Sequence, residues 1–351
     1  PVTVSHPSIQ IVSPRDYPAW DSMILDFPDC SFFHGSAWAQ VLRGAYGYKP
    51  LYFTICNGDE VHACLPVMEV DSIITGRRGI SLPFTDFCEP LVSSPRQFEE
   101  LLGGAVEYGE KRGWKFLEMR GGGFFLDGNP PSFTYLLHSL KLTDDEEKTF
   151  SRFRESNRRN IRKSREFGVR VQILTTEESV RQFYKLNQRT RKEHGLPPQP
   201  YRFFEKVHEH VISKGYGFIA AAVHGDAVIA ASVYFHLGKA GVYKYGASNR
   251  RYQHLRPNNL VMWEAIRWYI RNGYTSLSFG RTDLDHAGLR QFKAGWGATE
   301  RLISYYRYGV GTGRFMTNGS GKTKGITSKA MSLAPLSLLK AVGSFLYKHM
   351  G

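Results

Sequence analysis

Apolar residues recur along this chain with two different periods. In PRQFEELLGGAVEYGEKRG, Phe98, Leu101, Leu102, Ala105 and Val106 return every three or four positions, which predicts a helix opened by Pro95 and stopped by Gly113. LYFTIC (51–56) and VHACLPVMEV (61–70) flank the turn Asn57-Gly58-Asp59, a hairpin signal. Before it, SIQIV (8–12) reads as a short strand, and DYPAWDSMILDF, from Asp16, as a helix. SAWAQVLRGAYG reads as a helix capped by Ser36 and ending at Gly44 or Gly47. GISLPF, WKFLEM and TYLLHSL (134–140) read as further strands.

The second half opens with FSRFRESNRRNIRKSREFG, read as one amphipathic helix with Phe150, Phe153, Asn157 and Ile161 on one face. VRVQIL is a strand, and TEESVRQFYKLNQRTRKEHG and YRFFEKVHEHVISKG are helices stopped by Gly. Three strands follow as a meander through His224-Gly225-Asp226 and Gly238-Lys239. Pro257 stands in the first turn of the helix PNNLVMWEAIRWYIRNG. TSLSFG is a strand, GLRQFKAGWG a short helix and ERLISYYRYG a last strand.

The two halves repeat one order, and YGEKRGWKFLEM mirrors YIRNGYTSLSFG. The expectation is an α+β fold of two tandem copies, each a mixed, mostly antiparallel sheet flanked by helices. The acidic stretch 143–150 marks the boundary, giving domains at 1–145 and 146–310 and a tail at 311–351. Two such copies leave a cleft, where ligand sites commonly lie.

Charge narrows this picture. The 351 residues carry 46 Lys+Arg against 32 Asp+Glu, a net +14, so a polyanionic or phosphorylated partner or an anionic membrane surface is expected. At 42% hydrophobic and 14% aromatic, the chain is neither disordered nor fibrous. Cys30, Cys56, Cys64 and Cys88 share no CxxC spacing and read as thiols. His208 and His210 lack a third partner at metal-ligand spacing. The first residues lack the pattern of a signal peptide, and no apolar run reaches the length of a membrane span, so a cytoplasmic location is expected.

Two segments concentrate the charge. Residues 151–170 hold eight basic and two acidic residues, with Arg158, Arg159, Arg162 and Lys163 the densest run; nucleic acid or anionic lipid fits it. Residues 311–325 are Gly- and Lys-rich and read as a flexible linker. After it, SKAMSLAPLSLLKAVGSFLYKHMG carries Lys329, Lys340 and Lys348 among apolar residues. It reads as a tail helix docked on its own protein, or as a foot on a membrane surface.

Three segments carry a family resemblance: RESNRRNIRKSREFGV (154–169), VYKYGASNRRYQHLRPNNLVMWEAIRWYIRNGY (242–274) and LSFGRTDLDHAGLRQFKAGWGA (277–298). Together with FFHGSAWAQVLRGAYGY and LPFTDFCEPLV, they resemble the FemA/FemB/FemX group of GNAT-like acyltransferases over about residues 8–310. The tail resembles the branch linked to exopolysaccharide and PEP-CTERM sorting loci. The resemblance implies two GNAT-like domains and transfer of an acyl or aminoacyl group to an amine on a cell-envelope precursor, such as a peptidoglycan or exopolysaccharide intermediate. It implies no permanently bound cofactor. The donor is a co-substrate, with acyl-CoA, acyl-carrier protein and aminoacyl-tRNA all open, and the acceptor is a phosphorylated, nucleotide- or lipid-linked glycan. Where acetyl-CoA enzymes of this superfamily carry a Gly-rich phosphate turn, this chain reads SNRRYQHLRPNN, so Arg250, Arg251 and Arg256 would hold phosphates by charge.

Acyl transfer to an amine needs a polarised carbonyl, a stabilised oxyanion and a proton acceptor. Lys293 in QFKAGWG is the candidate cation for the oxyanion or a phosphate, against the alternative of a surface lysine capping the turn. Asp283, Asp285 and His286 share the loop before it and are candidates to take the amine proton, the alternative being an Asp N-cap. Arg281 follows the strand directly. Tyr201, Arg202, Lys244, Tyr245 and Arg250 form the candidate phosphate-binding set, and Asp86 is the candidate in the first half. The competing readings are an RNA- or tRNA-binding protein without catalysis and a membrane-associated scaffold in polysaccharide export.

Overall fold

In the computed structural model, which describes residues 9–58, 60–317 and 331–350, the hydrophobic alternation becomes strand almost wherever it was read. The first half runs β1 (Ile9–Val12), α1 (Trp20–Met23), α2 (Ser36–Tyr46), β2 (Lys49–Asn57), β3 (Glu60–Val70), β4 (Arg78–Ile80), α3 (Pro95–Arg112) and β5 (Phe116–Arg120). The second runs β6 (Phe133–Lys141), α4 (Glu146–Ser151), α5 (Glu155–Glu166), β7 (Arg170–Leu174), α6 (Glu177–Glu193), α7 (Tyr201–His210), β8 (Gly217–His224), β9 (Ala227–Leu237), β10 (Ala240–Ser248), α8 (Pro257–Arg271), β11 (Ser276–Asp283), α9 (Ala287–Ala294) and β12 (Thr299–Gly309). β13 (Arg314–Met316) and α10 (Leu336–Met350) close the chain.

Several local readings are corrected. Gly35 precedes α2 as its cap, and Ser36 is the first helical residue, its amide and hydroxyl donating to Asp21 at 2.7 and 3.0 Å. The helix from Asp16 shrinks to the short α1 after a 3-10 turn at Pro14–Asp16. The single helix expected from Phe150 is two, because the chain turns at Arg154, whose amide donates to the Gly295 carbonyl at 2.9 Å. Within the linker reading, Arg314–Met316 pairs antiparallel with β12; residues 318–330 lie outside the described residues.

GISLPF gives only the three-residue β4, because Leu82 and Phe84 take left-handed backbone at φ 54° and 60°. Such strain, of order 1–3 kcal/mol per residue, persists only where the surroundings hold it. Arg120 donates to the carbonyls of Leu82 and Thr85 at 3.3 and 3.2 Å, and the Trp38 indole donates to Pro83.

By contact the chain forms two units. Among the described residues, one holds 9–58, 60–135, 302–317 and 348–350, and the other holds 136–301 and 331–347. The first unit pairs β1-β2-β3-β4-β5 and then β12, antiparallel throughout except β4 with β5. The strand ERLISYYRYG, read with the second half, thus ladders on the first half's β5, Tyr305 opposite Arg120. Leu51, Phe53, Leu65, Val67, Leu101, Trp114 and Leu117 form a core under α3. The carboxylate of buried Glu118 lies between Arg120 (2.9 Å) and Arg307 (2.7 Å). Burial pushes that carboxyl up, but the two guanidiniums win and hold it below the usual range.

The second unit pairs β7-β8-β9-β10 antiparallel and β10-β11 parallel. Phe153, Ile161, Phe218, Tyr234, Trp263, Tyr269, Leu277 and Trp296 fill its core, each large side chain worth about 1.5–3 kcal/mol on burial. The mirrored sequences have mirrored geometry. Gly113 and Gly273 both take positive φ, at 68° and 70°, and end α3 and α8 alike. The amides of Trp114 and Tyr274 then donate back to Gly109 and Tyr269, at 2.8 and 3.0 Å. Each turn leads into the parallel strand of its unit, β5 or β11. All four cysteines are free thiols.

Candidate functional site

The parallel ladder of β10 and β11 runs only from Ala240 opposite Ser276 to Val242 opposite Ser278. Both strands continue, to Ser248 and Asp283, without further pairing to each other. One residue causes a break on the other edge of β10: the register with β9 steps from Tyr243–Tyr234 to Tyr245–Val233, so Lys244 is the extra residue of a bulge. A bulge bends and twists its strand and re-aims its side chains. Tyr245 anchors the bend against Phe203 and Phe204, with ring centroids 6.1 and 5.6 Å away. The Lys244 ammonium lies 5.5 Å from the centre of the Tyr245 ring. Gly246 is required here, since a Cβ would meet the Tyr243 hydroxyl at 2.1 Å.

Beyond β10, Asn249 caps a 3-10 turn, its side chain accepting from the Arg251 amide at 3.1 Å. This turn and the end of α6 line a recess of about 430 Å³ with Arg189, Lys192, Glu193, Asn249, Arg250, Arg251 and Ser332. Four cations face one carboxylate there, a composition suited to phosphate oxygens. Thr190 fixes α6 to the strand end, accepting from the Ser248 amide and donating to its carbonyl, both at 3.2 Å.

Across the gap, β11 ends in Gly280 (φ 70°), Arg281, Thr282 and Asp283. Lys293 on α9 is 4% exposed, and its ammonium donates to the carbonyls of Gly280 at 3.0 Å and Arg281 at 2.9 Å. It is therefore not the surface lysine that was the alternative; it ties the strand end to α9. The helix cap in this loop is His286, not an aspartate: its Nδ1 accepts from the Leu289 amide at 3.2 Å. Asp283 is half-buried and Asp285 exposed.

Behind the loop lies a pair that the sequence reading missed. His138 on β6 is fully buried, with Nε2 3.0 Å from a Glu300 carboxylate oxygen and Nδ1 3.5 Å from the Thr282 hydroxyl. Burial and then the Lys293 charge push this imidazole below its ordinary range, against the pull of Glu300. Arg290 grips Glu300 with bonds of 2.8–3.0 Å and holds that carboxyl low. The available signal was a lone His inside the apolar run TYLLHSL.

Of the predicted phosphate set, Arg250 lines the recess, joined by Arg251 and by Arg189 and Lys192, which sequence reasoning did not single out. Arg256 is exposed and holds the left-handed position, φ 57°, before Pro257 starts α8. Arg202 is exposed in the first turn of α7, and Tyr201 packs on Tyr184 with centroids 5.0 Å apart; neither lines the recess. Asp86 belongs to the first unit, where its carbonyl accepts from the Tyr305 hydroxyl at 2.7 Å. Among the described residues no cluster of His, Cys, Asp and Glu is arranged to hold a metal.

In the second unit the parallel strands thus part beside a bulge, and a basic turn follows. Residues 151–294 match the family model described as an acetyltransferase (GNAT) domain. The fold is like that of FemX, with a TM-score of 0.67 over 84% of this chain and 96% of that one, at 13% identity. It is also similar to the C-terminal domain of a protein assigned as a lysylphosphatidylglycerol synthetase from Agrobacterium fabrum (TM-score 0.58, 13% identity, 94% and 97% covered). A tandem GNAT protein from the clavulanic acid biosynthesis pathway matches at TM-score 0.53 and 11% identity, over 86% and 98%. No curated protein matches the chain in sequence. The chain thus has a FemX-like, tandem GNAT-like α+β fold.

Proposed function

We propose that this protein is a FemAB-like N-acyltransferase that transfers an acyl or aminoacyl group to an amine of a cell-envelope precursor, a peptidoglycan or exopolysaccharide intermediate. The parting of β10 and β11 beside the Lys244 bulge is the observation that carries this reading. An extended acyl-bearing arm lies between the two strands, and the phosphates of its donor rest on Arg189, Lys192, Arg250 and Arg251. The acceptor amine attacks the acyl carbonyl, forming the amide N–C bond. The bond from that carbon to the donor's sulfur or oxygen breaks, and the ammonium proton passes to a carboxylate.

Asp283, Asp285 and His286 are the candidates for that proton, with the Nδ1 of His286 engaged as a helix cap. Lys293 acts as a positioning residue, holding the Gly280 and Arg281 carbonyls and with them the strand end that carries Asp283. In the second unit, Tyr201, Arg202, Lys244, Tyr245, Arg256 and Arg281 are the proposed binders of the phosphorylated or lipid-linked glycan; Asp86 is the candidate of the first unit. Work at the inner membrane face follows, with the tail as the point of attachment. The lysylphosphatidylglycerol named for one structural neighbour is consistent with an aminoacyl donor and a lipid-linked acceptor.

The test is mass spectrometry of products formed when acyl-CoA, acyl-carrier protein and aminoacyl-tRNA are offered in parallel with amine-bearing envelope precursors. A mass gain of one acyl group on the acceptor is expected with one donor; no acylated product with any donor sinks the reading. A second reading, RNA binding without catalysis, is favoured by the exposed Arg152, Arg154, Arg159, Arg162 and Lys163 around α5. It requires RNA affinity that falls steeply with salt and no product.

A further inference from the structure

The tail helix α10 has a docked side and an exposed side. Leu339, Gly343 and Tyr347 stand four residues apart and so share one side. Leu339 is buried, and a Cβ at Gly343 would sit 2.0 Å from the Pro198 carbonyl oxygen. The Tyr347 hydroxyl accepts from Arg191 at 2.8 Å and donates to the Pro197 carbonyl at 3.3 Å. That side is committed to the second unit.

The exposed side mixes polar and apolar residues, with Ser337, Ser344 and Lys348 beside Leu338 and Phe345. Leu338 and Phe345, seven residues apart, share one line of the helix and are each 54% exposed. Leu333, ahead of the helix, is 81% exposed and Met350, at its end, 58%. Residues 331–350 thus carry four of the fourteen exposed large hydrophobics of the described chain, in a far smaller share of its length. Ala341 and Lys348 lie beside the Leu338–Phe345 line, while Lys340, also exposed, shares a line of the helix with docked Tyr347. From residue 317 to the end the sequence holds Lys322, Lys324, Lys329, Lys340 and Lys348 and no acidic residue. No described helix is long and apolar enough to cross a membrane. A helix with exposed Leu and Phe, flanking lysines and no carboxylate suits the boundary between lipid headgroups and acyl chains.

We infer that the outward side of α10 rests on an anionic lipid bilayer surface, with Leu338 and Phe345 entering the interface and Lys348 on the headgroup phosphates. The docked side stays on the protein, so the helix attaches the enzyme without leaving it. This deepens the reading of an enzyme working at the membrane face, and it is separable from the acyl-transfer chemistry.

The experiment is co-sedimentation of the full chain with vesicles of phosphatidylglycerol and phosphatidylcholine in equal parts, against vesicles of phosphatidylcholine alone. The wild-type chain is expected to sediment with the anionic vesicles, less so as salt rises. Leu338→Glu/Phe345→Glu is expected to lower the partition coefficient roughly tenfold or more. Both positions are exposed, so the thermal midpoint should hold. Lys348→Glu, which leaves Leu338 and Phe345 intact, provides a second variant and should weaken binding at low salt. A wild-type chain that stays in the supernatant overturns the proposal, and so do variants that sediment like it. Retention on RNA without vesicle binding also overturns it. Acyl transfer to a soluble amine, measured in the same variants, should be unchanged. Its absence in the wild type would sink the enzymatic reading while leaving the vesicle result to stand.

Discussion

The ammonium of Lys293 lies 3.0 Å from the Gly280 carbonyl oxygen and 2.9 Å from that of Arg281. A lysine that sequence reasoning places at the oxyanion is therefore tied to the backbone that presents the loop. Lys293→Met removes the donor and leaves two carbonyls short of partners, a cost of about 1–3 kcal/mol for each that is not rehydrated. The thermal midpoint is expected to fall by several degrees, and turnover to fall with it because the strand end shifts. A melt within error of wild type would show that the ammonium bonds contribute nothing. Turnover that persists in the same variant would remove Lys293 from any functional role.

The recess at the end of β10 should bind phosphate as a unit. Arg250→Ala/Arg251→Ala is expected to raise the dissociation constant for inorganic pyrophosphate, and the KM for the donor, roughly tenfold or more, with kcat less affected. Calorimetry with pyrophosphate checks the first, and steady-state kinetics the second. Equal affinity in the double variant would take the recess out of the site.

His138 makes stability depend on pH in a defined direction. Its folded pKa lies below the unfolded value of about 6.5, so the folded state binds the proton less readily. Its contribution is present above that unfolded value and is lost as the pH falls through the lower, folded pKa. His138→Gln is expected to flatten the fall in thermal midpoint between neutral and mildly acidic pH. A slope identical to wild type would mean that another group carries it.

The left-handed pair Leu82 and Phe84 is held by Arg120, which also bonds the buried Glu118. Arg120→Met removes the clamp and half of the compensation for that carboxylate, at a cost of about 3 kcal/mol or more. Urea denaturation should show the loss. A change below 1 kcal/mol would mean that Arg307 alone satisfies Glu118.

Local chemistry alone determined most elements of this protein. Gly47, Gly113 and Gly215 end helices where their freedom at positive φ is needed, and Pro95 and Pro257 open helices where a missing amide is harmless. The repeat was legible because the same helix–glycine–aromatic–strand turn is written twice, at Gly113-Trp114 and Gly273-Tyr274. The basic turn around Arg250 was legible too, since it stands where a strand passes into a Pro-started helix.

The tertiary structure alone decided which strand closes which sheet. ERLISYYRYG has the alternation of a strand, but alternation carries no information about its neighbour, and Tyr305 finds Arg120, nearly 200 residues earlier in the chain. It also decided what the polar residues of the site do. His138 meets Glu300 and Thr282, Lys293 turns inward to two carbonyls, and Arg189 and Lys192 join Arg250 only because α6 packs beside the end of β10. Hydrophobic periodicity reports which face of an element is buried. The partner that a charged side chain finds depends on which elements the fold brings beside it, and that is set by contacts far apart in sequence.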